Sequence, residues 1–426
     1  MSTIFAVSSG RPPAAIAVLR VSGPDALSGV SRLAGRLPQP RLAGLRTLRA
    51  PDGGVLDQAL VLVFPGPNSA TGEDLVELHC HGGRAVVMAV EAALGEIAGF
   101  RPAEPGEFTR RALMNGRIDL AEAEGLADLL QAETETQRVV AMSAVEGRVS
   151  SAVRGWMQRI SLLSARIEAM LDFADEDDVA DDAELVRQIG REMAELGNEI
   201  AQALALPSVD RLRDGIRVVL AGPPNSGKST LLNLMSQREA AIVSSIAGTT
   251  RDRIEAAVTR GGLPFVLTDT AGLTFETDDP IERIGVTRAE EAIANADVLV
   301  WLGDDQPPRV DALWVHARAD MEDRHNTPTG RSLMIRSDRL KTIDTLWDFV
   351  TKLAEDLVPA VDRVAFNARQ RECLELCRRS LSVEWTDPLI GGEQLRRAGG
   401  ALASLLGLNA TEAMLDAMFG AFCIGK

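Results

Sequence analysis

The 426-residue sequence has few cysteines, no long apolar run and a deficit of positive charge. Its four cysteines are Cys80, Cys373, Cys377 and Cys423. No two of them have C-x-x-C spacing, so they predict neither a disulfide framework nor a zinc site. No apolar run approaches the roughly 20 residues of a membrane span, and no cationic, apolar leader opens the sequence. We therefore expect a cytoplasmic protein without membrane association.

The charge balance limits the class of partner. The formal net charge is -16 at pH 7. This value argues against a protein that coats nucleic acid nonspecifically, because phosphate contacts need clustered lysine and arginine. A local basic patch remains compatible with an acidic whole. Hydrophobic residues make up 46% of the chain, which is enough for several packed cores.

The most informative segment is a phosphate-binding loop. Residues 222–229 read GPPNSGKS and fit the pattern G-x-x-x-x-G-K-[ST]. The apolar run 216–220 before it predicts a buried strand, and residues 230–234 after it predict the start of a helix. Such a strand, turn and helix N-terminus direct backbone N–H groups at polyphosphate. We expect Lys228 to neutralise the β- and γ-phosphates of a nucleotide and Ser229 to bind Mg²⁺.

Two further motifs follow in the order that a GTPase requires. Residues 248–252 read GTTRD and supply Thr250, which can close over Mg²⁺ and the γ-phosphate. Residues 269–272 read DTAG and follow a predicted strand, so that Asp269 can hold the metal through water. Each motif is weak alone. In register behind a phosphate loop they favour a GTPase over a generic P-loop ATPase.

The groups that assist hydrolysis are less clear from the residues. Leu273 stands where many GTPases have a glutamine that orients the attacking water. Glu282 is the nearest candidate for that role, and the alternative is a solvated glutamate at a helix start. Positive charge could come from a monovalent cation held by Asn225, or from an arginine of a partner.

The base-recognition motif is altered. The usual N-K-x-D is replaced by ARAD at residues 317–320, so that Asp320 is present and the asparagine is not. The following S-A-K element is reduced to SDR at residues 337–339. Lost hydrogen bonds to a buried base lower specificity. We expect GTP to be preferred, with relaxed discrimination for guanine.

The pattern of apolar segments predicts several domains. Residues 1–116 mix short apolar runs with turn clusters, as in an α+β domain. Residues 117–212 and 361–426 have helical periodicity, whereas residues 213–360 alternate strands and helices as a parallel sheet does. The nucleotide domain thus looks inserted into a helical one. The predicted fold class is multidomain α/β plus α.

Motifs outside the nucleotide domain carry a resemblance to one family. They read LRVSG, FPGPNS, TGED, HCHGG, PGEFTRRA, NGRIDL and FCIGK, at residues 19–23, 64–69, 71–74, 79–83, 105–112, 115–120 and 422–426. With these motifs the sequence resembles the MnmE (TrmE) family of tRNA-modification GTPases. The resemblance implies an N-terminal folate-binding domain that dimerises, a discontinuous helical domain and an inserted P-loop, Ras-like G domain.

The resemblance also implies a function. Members act with the flavin-dependent MnmG, in a heterotetramer, on C5 of the wobble uridine (U34) of certain tRNAs. The one-carbon unit comes from a tetrahydrofolate derivative, 5-formyl- or 5,10-methylene-. GTP hydrolysis in the family needs potassium and a homodimer, and it uses no arginine finger. The alternative is a regulatory GTP-binding switch that gates assembly without group transfer.

The resemblance assigns residues to ligands. For K⁺ these are Asn225, Ser244, Ile246 and Thr249; for Mg²⁺ they are Ser229 and Thr250. Glu282 aligns with the water-orienting glutamate. The folate residues are Arg20, Glu77, Arg117 and Lys426, and arginines with one carboxylate suit a folate. The full GTP-binding set is Asn225, Ser226, Gly227, Lys228, Ser229, Thr230, Ser244, Ser245, Ile246, Ala247, Gly248, Thr249, Thr250, Asp269, Thr270, Ala271, Gly272 and Asp320.

Three other side chains are candidates for a chemical role. Cys423 could attack C6 of a pyrimidine, but its apolar neighbours would raise the pKa of its thiol, so we expect a structural or folate-proximal role. His79 and His81 face one side of a predicted strand, as metal ligands can. No third ligand is evident for them, so no metal site is predicted here.

Overall fold

A computed structural model describes residues 2–172, 182–237, 254–270, 289–324, 330, 333–420, 422, 424 and 425. The chain divides into two compact units. The first unit comprises Met1–Ala127 and Ala403–Lys426, and the second comprises Asp128–Leu402. Among the described residues, no helix combines the length and the apolar character that crossing a bilayer requires.

The first unit is built on a mixed sheet. Its strands are β1 Thr3–Val7, β2 Ile16–Ser22, β3 Gly44–Arg49, β4 Val55–Phe64, β5 Leu75–His81 and β6 Phe100–Pro102. They lie in the order β3-β4-β5-β2-β1-β6, and only the β1–β6 pair is parallel. Helices α1 Ala26–Ala34 and α2 Arg84–Gly95 pack with the sheet around one buried cluster that includes Leu19, Val21 and Leu78. Because strand side chains alternate, the residues between these core positions point to the opposite face.

The carboxyl-terminal residues belong to the first unit. Helices α3 Glu107–Met114 and α13 Glu412–Phe419 contact each other, and α4 Leu120–Gln131 follows α3. Ser8 Oγ donates a hydrogen bond to the Gly425 carbonyl oxygen at 2.7 Å, and Ile424 forms a bridge with Pro105. Gly425 has a φ of 91°, and a Cβ atom there would clash with the Val7 carbonyl oxygen. Only glycine fits this contact.

Helices of 5 to 25 residues form part of the second unit. They are α5 Glu135–Val145, α6 Arg148–Asp172, α7 Asp182–Ala205, α8 Asp210–Asp214, α11 Ala368–Leu381 and α12 Pro388–Leu405. In α6 the buried residues Val153, Trp156, Ile160 and Leu163 recur at intervals of three or four, which places them on one face. Capping boxes at Thr134 and Asn367 start α5 and α11.

The second unit also contains a mostly parallel sheet. Its strands are β7 Ile216–Ala221, β8 Ile254–Arg260, β9 Leu263–Asp269, β10 Val298–Trp301, β11 Leu313–His316 and β12 Leu333–Met334. They lie in the order β12-β11-β10-β7-β9-β8, and β8 alone is antiparallel to its neighbour. Helices α9 Lys228–Gln237 and α10 Leu340–Glu355 contribute to its core, where Phe265 and Trp347 meet edge to face at 5.2 Å. The parallel sheet predicted from the sequence is present. The division at residues 116, 212 and 360 stays a prediction.

Candidate nucleotide-binding site

The phosphate loop connects β7 to α9. Three residues in it have positive φ angles: 152° at Gly222, 61° at Asn225 and 100° at Gly227. Left-handed residues in a loop turn successive N–H groups toward a common point, which makes a cradle for an anion. The helix N-terminus at Lys228 adds its own free N–H groups. The predicted strand, loop and helix therefore form an anion-binding turn.

Lys228 lies inside this turn. It is 5% exposed, and its Nζ donates hydrogen bonds to the carbonyl oxygens of Gly222 at 2.9 Å and Pro223 at 2.8 Å. Burial lowers the pKa of the Lys228 ammonium, and the charge of Asp269 opposes that effect. A polyphosphate beside this group would favour its charged form.

Ser229 and Asp269 meet at the edge where β7 and β9 end. The register of the two strands pairs Leu220 with Asp269, and Ser229 Oγ donates a hydrogen bond to Asp269 Oδ2 at 2.5 Å. Thr270 Oγ1 donates to the Leu220 carbonyl oxygen at 2.8 Å, which fixes the end of β9. A hydroxyl and a carboxylate are hard oxygen ligands of the kind that Mg²⁺ prefers. The pair fits the metal role predicted for Ser229.

The altered base-recognition motif follows β11. Ser337 Oγ donates a hydrogen bond to Asp320 Oδ2 at 2.7 Å, and this bond lowers the pKa of the carboxyl. Asp320 Oδ1 is buried and has no partner among the described residues. A buried acceptor without a donor is costly unless a ligand supplies one. Oδ1 is thus available to a bound base.

One cavity joins the phosphate loop to the base-recognition motif. Its volume is about 880 Å³. Of the predicted nucleotide residues, it is lined by Asn225, Gly227, Lys228, Ser229, Thr230 and Asp320. Ser226 has a buried Oγ without a partner in the part of the chain that the structure describes. The remaining predictions for GTP, metal and folate lie outside the described residues: Ser244, Ser245, Ile246, Ala247, Gly248, Thr249, Thr250, Ala271, Gly272, Glu282 and Lys426.

A second predicted site lies on the sheet of the first unit. Arg20 on β2 is directly opposite Glu77 on β5, and Arg20 Nε donates a hydrogen bond to Glu77 Oε1 at 2.9 Å. His79 Nε2 lies 3.2 Å from Glu77 Oε2. Burial raises the pKa of Glu77, but the bonds to Arg20 and His79 outweigh burial and lower it. His79 is not among the predicted folate residues, although strand alternation places residues 77 and 79 on one face.

Arg117 follows α3, beside Gly72. A Cβ atom on Gly72, whose φ is 79°, would lie 3.2 Å from Arg117 Cγ. Arg117 N donates a hydrogen bond to the Ala112 carbonyl oxygen at 2.8 Å, which fixes the turn after α3. Its predicted role toward folate stays a prediction.

Two family models match this chain, one after the other. The family model described as "GTP-binding protein TrmE N-terminus" matches residues 3–117, and the one described as "MnmE helical domain" matches residues 120–423. The chain belongs to the MnmE family. The resemblance predicted from the motifs and the multidomain α/β plus α fold class are both confirmed.

Curated MnmE relatives match along their full length. The tRNA modification GTPase MnmE of Erythrobacter litoralis is 52% identical over 100% of this chain and 100% of its own. The protein of the same name from Rhizorhabdus wittichii is 51% identical and covers 100% of this chain and 96% of its own. That of Sphingopyxis alaskensis is 47% identical over 96% of this chain and 100% of its own.

Proposed function

We propose that this MnmE chain is a potassium-dependent GTPase that acts in tRNA modification. Its target is C5 of the wobble uridine, U34, in certain tRNAs, and it works in the cytoplasm as a homodimer with the flavin-dependent MnmG. The observation that carries the GTPase proposal is the cavity shared by the phosphate loop and Asp320. Its volume suits a nucleotide, because ligand pockets span about 300–1,000 Å³.

Asp320 supports guanine as the base. Guanine presents two neighbouring donors, its N1–H and its exocyclic amine, and a carboxylate can accept from both. Adenine has an acceptor at N1 and would face the buried Oδ1 without donating to it. An unpaired buried oxygen costs about 1–3 kcal/mol, which favours GTP over ATP. Ala317 cannot supply the amide of the usual motif, so the discrimination rests on Asp320 and Ser337.

The residues at the phosphate-loop end of the cavity support the proposal that the chain hydrolyses GTP. Lys228, buried in the loop, would contact the β- and γ-phosphates, and the backbone N–H groups of the loop would hold the phosphates in line. Ser229 and Asp269 would hold Mg²⁺, together with Thr250, and the metal supplies positive charge to the phosphate oxygens. We assign water positioning to Glu282, since Leu273 has no polar group.

The side chain of Asn225 supports the proposal that a potassium ion takes the place of an arginine finger. Its side chain is exposed at the loop, and the amide has no hydrogen-bond partner among the described residues. An amide oxygen in this place can coordinate a monovalent cation beside the phosphates. Ser244, Ile246 and Thr249 would complete the ligand set. The ion supplies the charge that a partner's arginine would otherwise bring.

Exchange of the cation tests this proposal. We expect GTP hydrolysis to fall by about 10²-fold when NaCl replaces KCl at equal ionic strength, the loss seen when one charge-stabilising group is removed. The Asn225→Ala variant should hydrolyse GTP at one slow rate in both salts. Phosphate release assays measure the rates. Asn295→Ala, at another exposed asparagine, is the matched control and should keep the KCl response. Equal rates of the unmodified protein in both salts would contradict the mechanism.

The polar face of the first unit supports folate binding. Arg20 offers a guanidinium for a glutamate carboxylate, and Glu77 offers a carboxylate for the donors of a pterin ring. His79 holds the second oxygen of Glu77, so three side chains from adjacent strands make one patch. Arg117 and Lys426 would add positive charge. The ligand, 5-formyl- or 5,10-methylenetetrahydrofolate, supplies the one-carbon unit.

The Glu77→Gln substitution tests the folate site. A hydrogen bond to a charged group contributes about 1.5–3 kcal/mol, so we expect the Kd for 5-formyltetrahydrofolate to rise by about 10- to 100-fold. Isothermal titration calorimetry gives the Kd. Glu96→Gln makes the same chemical change at an exposed residue after α2 and should bind normally. If Glu77→Gln binds as tightly as Glu96→Gln, Glu77 does not contact the folate.

A further inference from the structure

Arg318, in the altered base-recognition motif, reaches across to the phosphate loop. Its Nη1 donates a hydrogen bond to the main-chain carbonyl oxygen of Asn225 at 2.6 Å. Its aliphatic stem lies over Gly227, where a Cβ atom would be 3.3 Å from Arg318 Cγ. Its Nη2 lies 2.8 Å from the sulfur of Met321. One side chain thus joins the two ends of the cavity that the nucleotide is proposed to fill.

Both residues in this bond have unusual backbones. Arg318 has a φ of 57° and Asn225 a φ of 61°, and among the described non-glycine residues only Arg41 shares a positive φ. A left-handed backbone is strained for a non-glycine residue and persists only where its surroundings hold it. The Arg318–Asn225 bond is one such restraint, because it fixes the carbonyl that the left-handed turn presents.

A second arginine fixes the segment from which Arg318 extends. Arg324 Nε donates a hydrogen bond to the Ala317 carbonyl oxygen at 3.1 Å, and its two Nη atoms each lie 2.9 Å from an oxygen of Asp304. Bidentate pairing of this kind gives a fixed geometry. Ala317 stands in place of the usual asparagine and has no side-chain amide that could bind neighbouring loops. The segment is therefore held by arginine bonds to its main chain, and Arg318 extends from a rigid base.

The bond also decides which oxygen of Asn225 can take a cation. The main-chain oxygen already accepts from a guanidinium, whose positive charge would repel a cation placed on the same oxygen. The side-chain oxygen remains available and exposed. We propose that Arg318 is a positioning residue that holds Asn225 so that its side-chain oxygen binds the activating potassium ion. Since Arg318 also lines the cavity beside Asp320, a bound base and the cation site are coupled through it.

This inference rests on the proposed potassium dependence, and a methionine in place of Arg318 tests it. Arg318→Met keeps the stem over Gly227 and removes the donor. A typical intramolecular hydrogen bond contributes about 1 kcal/mol, so the KCl concentration for half-maximal hydrolysis should rise about fivefold. At saturating KCl, kcat should stay within about twofold of the original, because Arg318 touches no reacting atom. Arg318→Lys restores a donor and should recover most of the potassium affinity.

Three comparisons separate the possible results. The control Arg363→Met removes another exposed arginine of the second unit and should leave the potassium response unchanged. If the unmodified protein responds to KCl but Arg318→Met has the same half-maximal concentration, the inference about Arg318 fails alone. If the unmodified protein ignores KCl, the proposed function fails and this inference with it. A fall in kcat without a change in potassium affinity would place Arg318 in the reaction itself and overturn the positioning role.

A folding defect would be visible separately. Binding of a fluorescent GDP analogue and the thermal unfolding midpoint report whether Arg318→Met keeps its nucleotide domain. Should Arg318→Met fail to fold, Arg318→Gln keeps a polar, uncharged side chain that is too short to donate to the Asn225 carbonyl oxygen. It is expected to raise the half-maximal KCl concentration about fivefold as well, and a value equal to that of the unmodified protein would contradict the inference.

Discussion

Replacing Lys228 by methionine is expected to lower kcat/KM for GTP by about 10²- to 10³-fold, the loss typical of removing one preorganised charge from a reacting group. The ammonium is buried in the phosphate loop, and among the described residues it donates hydrogen bonds to carbonyl oxygens of that loop. Methionine keeps the volume and removes the charge, so the phosphates would face the same cradle without a counter-ion. Steady-state phosphate release and binding of a fluorescent GTP analogue measure the loss.

Lys352→Met provides the matched control. Lys352 is exposed on α10, and its replacement removes an equal charge far from the loop in sequence. We expect its kcat/KM to stay within about twofold of the original, since exposed charges contribute little. Hydrolysis by Lys228→Met at the rate of this control would remove the phosphate loop from its assigned role.

Replacing Glu107 by glutamine is expected to destabilise the first unit by about 1.5–3 kcal/mol, the contribution of hydrogen bonds to a charged group. Glu107 is 8% exposed at the start of α3. Arg101 donates to both of its oxygens at 2.6 and 2.8 Å, and Arg111, itself buried, donates to Oε1 at 2.9 Å. Glutamine would leave two guanidinium groups without their shared carboxylate.

The same cluster predicts a pH dependence. Burial raises the pKa of Glu107, but the bonds from Arg101, the Glu104 N–H and Arg111 outweigh burial and lower it. A carboxyl whose pKa is lower in the folded state stabilises the fold above its ordinary pKa of 4.5. That contribution is lost as the pH falls through the folded pKa. The difference in stability between the original and Glu107→Gln should be largest near neutral pH and shrink below 4.5.

The positions of the tryptophans help to measure the unfolding of each unit in urea. All five tryptophans, Trp156, Trp301, Trp314, Trp347 and Trp385, lie in the second unit, and the chain has no tyrosine. Far-UV circular dichroism in urea should show the early transition of Glu107→Gln, and tryptophan fluorescence reports on the second unit for comparison. Glu96→Gln serves as control. Equal urea midpoints for Glu107→Gln and Glu96→Gln at pH 7 would contradict the prediction.

Local features of the site could be predicted from the sequence. The phosphate loop depends on residues that follow one another in the chain, so the pattern at residues 222–229 is sufficient to predict it. The meeting of Ser229 with Asp269 depends on two neighbouring parallel strands, which the order of motifs also predicts. Strand alternation also places His79 beside Glu77, but the sequence pattern was weighed only for a metal site, which it did not support.

Contacts between distant residues could not be predicted. The altered motif at residues 317–320 indicated a lost asparagine, yet no pattern shows that Arg318 would reach Asn225 or that Arg324 would bond to Ala317. Such contacts depend on the rotamers of long side chains. Helical periodicity likewise predicted helices after residue 361, but it identifies an apolar face and not the face against which it packs. It therefore could not place residues 403–426 in the same unit as residues 1–127.

The close contact between Gly425 and Val7 constrains the order in which the two units can complete their folding during translation. Ser8 and Gly425 are 417 positions apart, and the whole second unit is translated between the two parts of the first. Translation proceeds at about 5–20 residues per second, so on the order of tens of seconds pass between the synthesis of the amino-terminal sheet and that of the last segment of its unit. A nascent chain whose residues have emerged from the ribosome as far as residue 402 can hold a complete second unit while the first unit still lacks α13 and the Ile424 bridge.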